Sequence, residues 1–211
     1  MDVGPLLDMD ALREVVTRPS TALCAVDGCG GSGKSTLARR LARPGRVVVV
    51  EMDDFYLPSD RRVAMPSAPG ENFDLERLTE QVLTPAADGS GARYQRYDWD
   101  NDALGAWVEI DAGTLVVVEG VYSSSATLRD RYGLRMWVET PYEVRLERGV
   151  ARDGEDMRET WVNEWMPAEA RYLEAEDPAS YAHLVLDGSS SGDANDPEFI
   201  VLRSSLPGIS A

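Results

Sequence analysis

At 211 residues, 43% of them hydrophobic, the chain is long enough for one domain with a substantial core. Its formal charge of −16, from 37 acidic and 21 basic residues, argues against nucleic acid or an anionic membrane as a partner. No apolar run approaches the roughly 20 residues of a membrane span. The start lacks a basic stretch, an apolar stretch and a cleavage site, so a cytoplasmic protein is expected.

In chain order, residues 8–18 predict an N-terminal helix. Thr21–Val26 is a short apolar strand, and Lys34–Arg43 is a helix of good formers. Arg46–Met52 contains four consecutive valines and reads as a strand buried on both faces. Pro58–Glu71, rich in Pro, Ser, Gly and Arg, is a long loop of the kind that often carries function. Leu75–Leu83 is helical, Arg93–Trp99 and Ala106–Ile110 form a hairpin or flap, and Leu115–Val118 is a second buried parallel strand. Ala126–Tyr132 is expected to be helical, Arg135–Val138 a strand, and Pro141–Arg152 a helix opened by proline. A long helix follows over Glu159–Glu176, then a short strand His183–Leu186, a loop Ser189–Pro197 and an apolar stretch Phe199–Leu202. Alternating strands and helices predict an α/β fold with a parallel sheet of about five strands, covered on both faces. Ligands of such sheets bind at the carboxyl ends of the strands. Cys24 and Cys29 lack the companions of a disulfide framework or a zinc site. His183, before an apolar run, reads as structural.

Residues 28–35, Gly-Cys-Gly-Gly-Ser-Gly-Lys-Ser, match the phosphate-loop pattern GxxxxGK[ST] at every fixed position. Gly28, Gly30, Gly31 and Gly33 let the loop turn its N–H groups inward, with Ser32 among them. The following helix adds its positive end, with Thr36 in its first turn. Lys34 is placed for the β- and γ-phosphates and the Ser35 hydroxyl for Mg²⁺. An apolar strand before and a helix after are the context this loop needs. A base-reading NKxD motif and a transporter-type signature are both absent. The strand Leu115–Val118 ends in Glu119-Gly120, where a carboxylate can support the metal or its waters.

Asp53 and Asp54 directly follow the valine strand, whose tip lies near the loop in such a sheet. One of them is well placed to orient or deprotonate an acceptor hydroxyl, and the other to cap the next segment. Arg145, Arg148 and Arg152 fall three and four apart on one helix face. In so acidic a chain they read as a lid over a transferring phosphoryl group, with Glu143 and Glu147 as partial partners. Trp137 reads as core, Trp161 and Trp165 as a packing stripe. Tyr94, Tyr97 and Trp99 lie along one strand, with Tyr97 and Trp99 on the same face.

The motifs DGCGGSGKST, MDDFY, NFD (72–74), RYDW (96–99), VVVEG (116–120) and RLERGVARD (145–153) stand in the order found in uridine kinases. The chain resembles that family, and the wider group with nicotinamide riboside kinases and phosphoribulokinases, over about residues 21–188. The resemblance implies Asp53 as catalytic base, Asp74 as holder of ribose hydroxyls, and Tyr97 as an aromatic of the nucleoside pocket. It also implies Glu119 beside the metal, and Arg148 and Arg152 as lid arginines over the phosphates. The family's arginine-rich lid is shortened here to ARDGEDMRETW. The expectation is a single P-loop kinase domain over 1–211, with a lid near 145–160. It would use ATP and Mg²⁺ to phosphorylate a hydroxyl of a nucleoside-like small molecule. Another acceptor (a different ribosyl compound, a vitamin precursor or an antibiotic) and a non-catalytic nucleotide-binding regulator are the alternatives. The expected partner is a small-molecule substrate, with self-association into a homo-oligomer left open.

Overall fold

The computed structural model describes residues 4–42, 46–64, 66–189 and 198–211. Helix α1 (Met9–Val16) starts where the Asp8 carboxylate accepts the N–H groups of Asp10 and Ala11, and it buries Met9, Leu12, Val15 and Val16. Strand β1 (Leu23–Asp27) is buried along its whole length. It is followed by α2 (Lys34–Leu41), which buries Leu37, Ala38 and Leu41, and by β2 (Val47–Glu51). A single helical path then runs through α3 (Leu75–Leu78), a wide π-turn at Thr79–Leu83 and α4 (Thr84–Ala87). Strands β3 (Ala92–Asp98) and β4 (Ala103–Ile110) form a separate antiparallel hairpin. Next come β5 (Leu115–Glu119), β6 (Leu134–Glu139) and α5 (Tyr142–Asp153). A second path comprises α6 (Arg158–Thr160), a π-turn at Trp161–Trp165 and α7 (Met166–Glu176), with Pro167 in the first turn of α7. Pro167 has no N–H to give the preceding turn, which accounts for the widened coil there. The chain finishes with α8 (Pro178–Tyr181), β7 (Leu184–Asp187) and β8 (Ile200–Ser204).

The main sheet has the order β2-β5-β1-β6-β7-β8. The first five strands are parallel, and β8 runs antiparallel to β7. One apolar layer packs α1 and α2 against Cys24, Val26, Val117 and Met136. The other packs Phe55, Leu78, Val82 and Tyr94 against Ala25, Val50, Val116 and Val118. The central strand β1 lies between β5 and β6, which follow it much later in the chain. The loop after β1 therefore opens at the crevice where the winding reverses.

Three expectations change. β2 is an edge strand, and its Val48 and Val49 are only half-buried. Ala126–Tyr132 forms no regular helix beyond a 3₁₀ turn at Arg129–Arg131. There the carbonyls of Arg129 and Tyr132 accept from the Arg135 guanidinium, which takes them out of a helical ladder. The sheet has six strands, because Ile200–Ser204 adds an antiparallel edge. The loop expected at Ser189–Pro197 lies, beyond Ser189, outside the described residues. Among the described residues no helix is long and apolar enough to cross a membrane. His183 is structural, its Nδ1 accepting the Arg135 N–H at 3.0 Å.

Candidate active site

The loop between β1 and α2 is shaped by backbone conformations that L side chains resist. Gly31 has φ +75°, and a Cβ there would stand 2.5 Å from the Arg145 carbonyl oxygen. Among the described residues no side chain caps α2, whose first residues are Lys34 and Ser35. Its leading N–H groups are thus free for an anion, as helix starts favour. Ser32, fully buried, has a hydroxyl with no partner among the described residues. Lys34 is the only lysine of the chain.

Behind the loop, Asp27 is wholly buried at the end of β1. It accepts from the Gly28 N–H at 2.7 Å and, at 2.8 Å each, from the Ser124 N–H, the Ser124 hydroxyl and the Tyr172 hydroxyl. Burial pushes its carboxyl upward, and these donors oppose that.

Two neighbouring strand tips bring acids to the loop. Glu119, paired in register with Val26 and Glu51, is buried beside the Ser35 hydroxyl. Burial raises its carboxyl, while the Lys34 charge and Ser35 draw it back down. Its Oε2 has no hydrogen-bond partner among the described residues. An orphaned buried carboxylate oxygen beside a serine hydroxyl is a donor set that fits Mg²⁺. That ion commonly keeps one or two protein ligands and takes the rest from water and phosphate.

After β2, a 3₁₀ turn over Met52–Phe55 separates the two aspartates. Asp54 turns inward with Phe55. It accepts from the Tyr94 hydroxyl at 3.0 Å and lies 3.3 Å from the Arg96 guanidinium. Burial raises its carboxyl, against the pull of Arg96 and Tyr94. Asp53 is exposed and makes no hydrogen bond or ion pair among the described residues. Its charge is felt at Glu119, Tyr56 and Arg152, so it shares their cleft.

An aromatic wall continues from there. The Tyr56 ring lies 4.3 Å from Phe73 and 4.9 Å from Trp99, and Phe73 meets Tyr122 at 5.6 Å. Burial, aided by Asp53, pushes the Tyr56 hydroxyl up to about 12. The Arg62 guanidinium sits 5.5 Å from the Tyr56 ring and 5.7 Å from Tyr97. Tyr97 is buried, accepts from Arg62 at 2.8 Å and donates to Asp102. Its ring contributes to the wall while its hydroxyl is committed to tying the loop 57–63 to the hairpin. Tyr94 and Tyr97 are both buried despite their odd spacing, because the pairing shifts register between Gln95 and Tyr97.

Asp74 is a helix cap. Its Oδ1 accepts the Arg77 N–H at 3.0 Å, and Oδ2 lies 3.5 Å from Arg77 Nε. A diol would have to compete with these contacts. Asp74→Ala should therefore lower stability by about 0.5–2 kcal/mol, the usual cost of a lost cap. A thermal melt beside the acceptor KM checks this, and an unchanged Tm would contradict it.

The arginine face does not act as one unit. Arg145 is buried and pairs with Glu169 at 2.7 Å. Arg148 donates to the Gly188 carbonyl at 2.7 Å and lies 3.4 Å from that of Gly31, so backbone carbonyls hold its guanidinium. Arg152 is the exposed member, paired with Asp153 at 2.7 Å and felt by Asp53 and Glu119. Glu143 and Glu147 partner none of the three; Glu169 and Asp153 do. Trp137 lies in the core as expected. Trp161 is more than stripe packing: its buried ring lies against Gly30 and Gly149, where added Cβ atoms would come within 2.7 and 2.4 Å.

Asp27, Trp161 and Glu169 were not legible as site residues. Asp27 carried a weak signal, an acid ending an apolar strand, which needs buried partners. Glu169 carried only its place on the face Met166-Glu169-Tyr172, all three buried.

No protein-family model matches the chain. It is 23% identical over 195 residues to a uridine kinase of Staphylococcus haemolyticus, covering 84% of this chain and 93% of that one. Its fold matches a possible uridine kinase from Bacillus stearothermophilus at a TM-score of 0.62, with 22% identity over 84% of this chain and 96% of the other. It also matches a protein named provisionally as a fructose transport system kinase, from Silicibacter sp. TM1040. There the TM-score is 0.63, with 25% identity over 81% of this chain and 95% of the other. A phosphate loop at the winding switch point, acids on the two adjoining strand tips and these likenesses converge: in sequence and in fold the chain is similar to the uridine kinase-like group of P-loop kinases.

Proposed function

We propose that this kinase transfers the γ-phosphoryl group of ATP to a hydroxyl of a small, ring-bearing acceptor of nucleoside type. The observation that carries the reading is the division of the acidic pair. Asp54 is locked by Tyr94 and Arg96, whereas Asp53 bonds to none of the described residues and lies in the cleft that holds Glu119 and Arg152. An acceptor hydroxyl beside Asp53 would be oriented by its carboxylate and give up its proton to it. Loop amides and Lys34 would hold the β- and γ-phosphates. Ser35 and Glu119 would hold Mg²⁺, which when bound neutralises charge on the phosphates. Arg152, the exposed member, is the arginine placed to approach the transferring group, exchanging its Asp153 partner for phosphate oxygens. Arg148 acts through the loop carbonyls it holds. The rings of Tyr56, Phe73, Tyr97 and Trp99 supply flat surfaces on which a base or sugar can stack.

The test is ADP release with ATP and Mg²⁺ over a panel of nucleosides, free sugars and other hydroxyl compounds. Stimulation by at least one nucleoside is expected. Stimulation by sugars alone would move the acceptor toward the class named in the fructose transport system likeness. No stimulation by any hydroxyl compound would favour a nucleotide-binding regulator.

A further inference from the structure

Segment 27–31 is gripped from behind by side chains that the phosphate-loop pattern does not require. α7 presents Glu169 and Tyr172 one turn apart, both buried. Tyr172 reaches the near end through Asp27, at 2.8 Å. Glu169 reaches the far end: its Oε1 accepts the Gly30 N–H at 2.7 Å, and its Oε2 accepts from Arg145 Nη1 at 2.7 Å. The same Arg145 nitrogen lies 3.5 Å from the Gly30 carbonyl oxygen, and its Nε donates to the Thr140 carbonyl at 3.2 Å. Both polar groups of the Gly30 backbone thus face the two members of one ion pair.

That pair is 9% and 7% exposed at its side chains. Burying two charges is costly unless the geometry is good and the remaining hydrogen-bonding capacity is used. Here it is used on the loop itself. Trp161 closes the other side of Gly30. Half-buried Gly30 is thus held by Glu169, Arg145 and Trp161 at the point where the chain enters the φ +75° turn of Gly31.

We propose that Glu169, held by Arg145, is a positioning residue for the phosphate loop, orienting the Gly30 peptide so that the following amides converge on a phosphate. This rests on reading residues 28–35 as the nucleotide's phosphate cradle. Donors that are already aimed need no reorganisation when the anion arrives, and nucleotide affinity carries the benefit. The acceptor side, built on Asp53 and the aromatic wall, does not depend on it.

Three variants separate reach from charge. Glu169→Gln keeps an oxygen for the Gly30 N–H, Glu169→Asp keeps the charge but falls a methylene short, and Glu169→Ala keeps neither. ADP binding is measured by calorimetry without acceptor, ATP KM and acceptor KM by ADP release, and folding by circular dichroism and Tm. Glu169→Asp and Glu169→Ala are expected to weaken ADP binding and raise the ATP KM about tenfold, as loss of a charge-assisted hydrogen bond implies. Acceptor KM should stay within about twofold, and Glu169→Gln should recover most of the loss. If Glu169→Ala fails to fold, the ranking of Gln above Asp still decides. Unchanged ADP affinity in folded variants, or a loss in Gln equal to or greater than that in Asp, overturns the inference. Wild-type protein that binds no nucleotide would instead overturn the reading of the loop.

Discussion

Lys34→Ala is expected to abolish turnover and weaken nucleotide binding. Lys34 opens α2, whose first turn has no side-chain cap among the described residues, and the sequence holds no second lysine to take its place. Its charge does two things in the structure. It completes the positive end of the loop, and it lowers the buried Glu119 carboxyl, which burial alone raises. Removing it costs a phosphate contact and also favours protonation of Glu119, a metal candidate. Loss of one preorganised charge-stabilising group is worth roughly 10²–10³ in rate, and the second effect adds to it. ADP release and calorimetric ADP binding check both parts. Wild-type rates in a folded Lys34→Ala protein would refute the assignment of residues 28–35.

The second large effect belongs to the acidic pair. Asp53→Asn should leave the fold and nucleotide binding intact, because among the described residues the exposed side chain makes no bond to lose. It should cut kcat by roughly 10²–10⁴, the contribution of a positioned base. Asp54→Asn should do the opposite. The amide can still accept from Tyr94, but Arg96 loses its ion partner. A stability loss of about 1–2 kcal/mol with a modest change in kcat is expected. Comparing kcat and Tm for the two variants at saturating ATP and acceptor tests the division. A larger kcat loss in Asp54→Asn would exchange their roles.

Much of this fold could be read before any coordinates. Apolar runs such as TALCAV, VVVV and LVVV have the length of buried strands, and the helices between them carry 3.6-residue patterns, so the α/β class follows from local signals. The parallel strands and the β3–β4 hairpin came out where those signals put them. Pattern does not report what a polar side chain finds across the fold. The spacing of Arg145, Arg148 and Arg152 places them on one helix, as α5 has them, yet two of the partners lie across the fold, Glu169 on α7 and Gly188 after β7, while Arg152 pairs with the adjacent Asp153. The Asp53–Asp54 choice was open for the same reason, since strand alternation cannot say which carboxylate a 3₁₀ turn buries. Glu169 meets Gly30 across 139 positions of chain, a separation no local window spans.

The seat of Trp161 has a consequence for how this sequence can drift. Its ring occupies the space that a methyl group would need at Gly30 and also at Gly149. Three distant positions therefore behave as one unit of inheritance. Alanine at either glycine is closed while the indole is present, and a smaller side chain at 161 leaves a void until one of the glycines fills it. Lineages can cross between the two solutions only through a handicapped intermediate, so the glycine in the phosphate loop is kept by a neighbour as well as by the phosphate it serves.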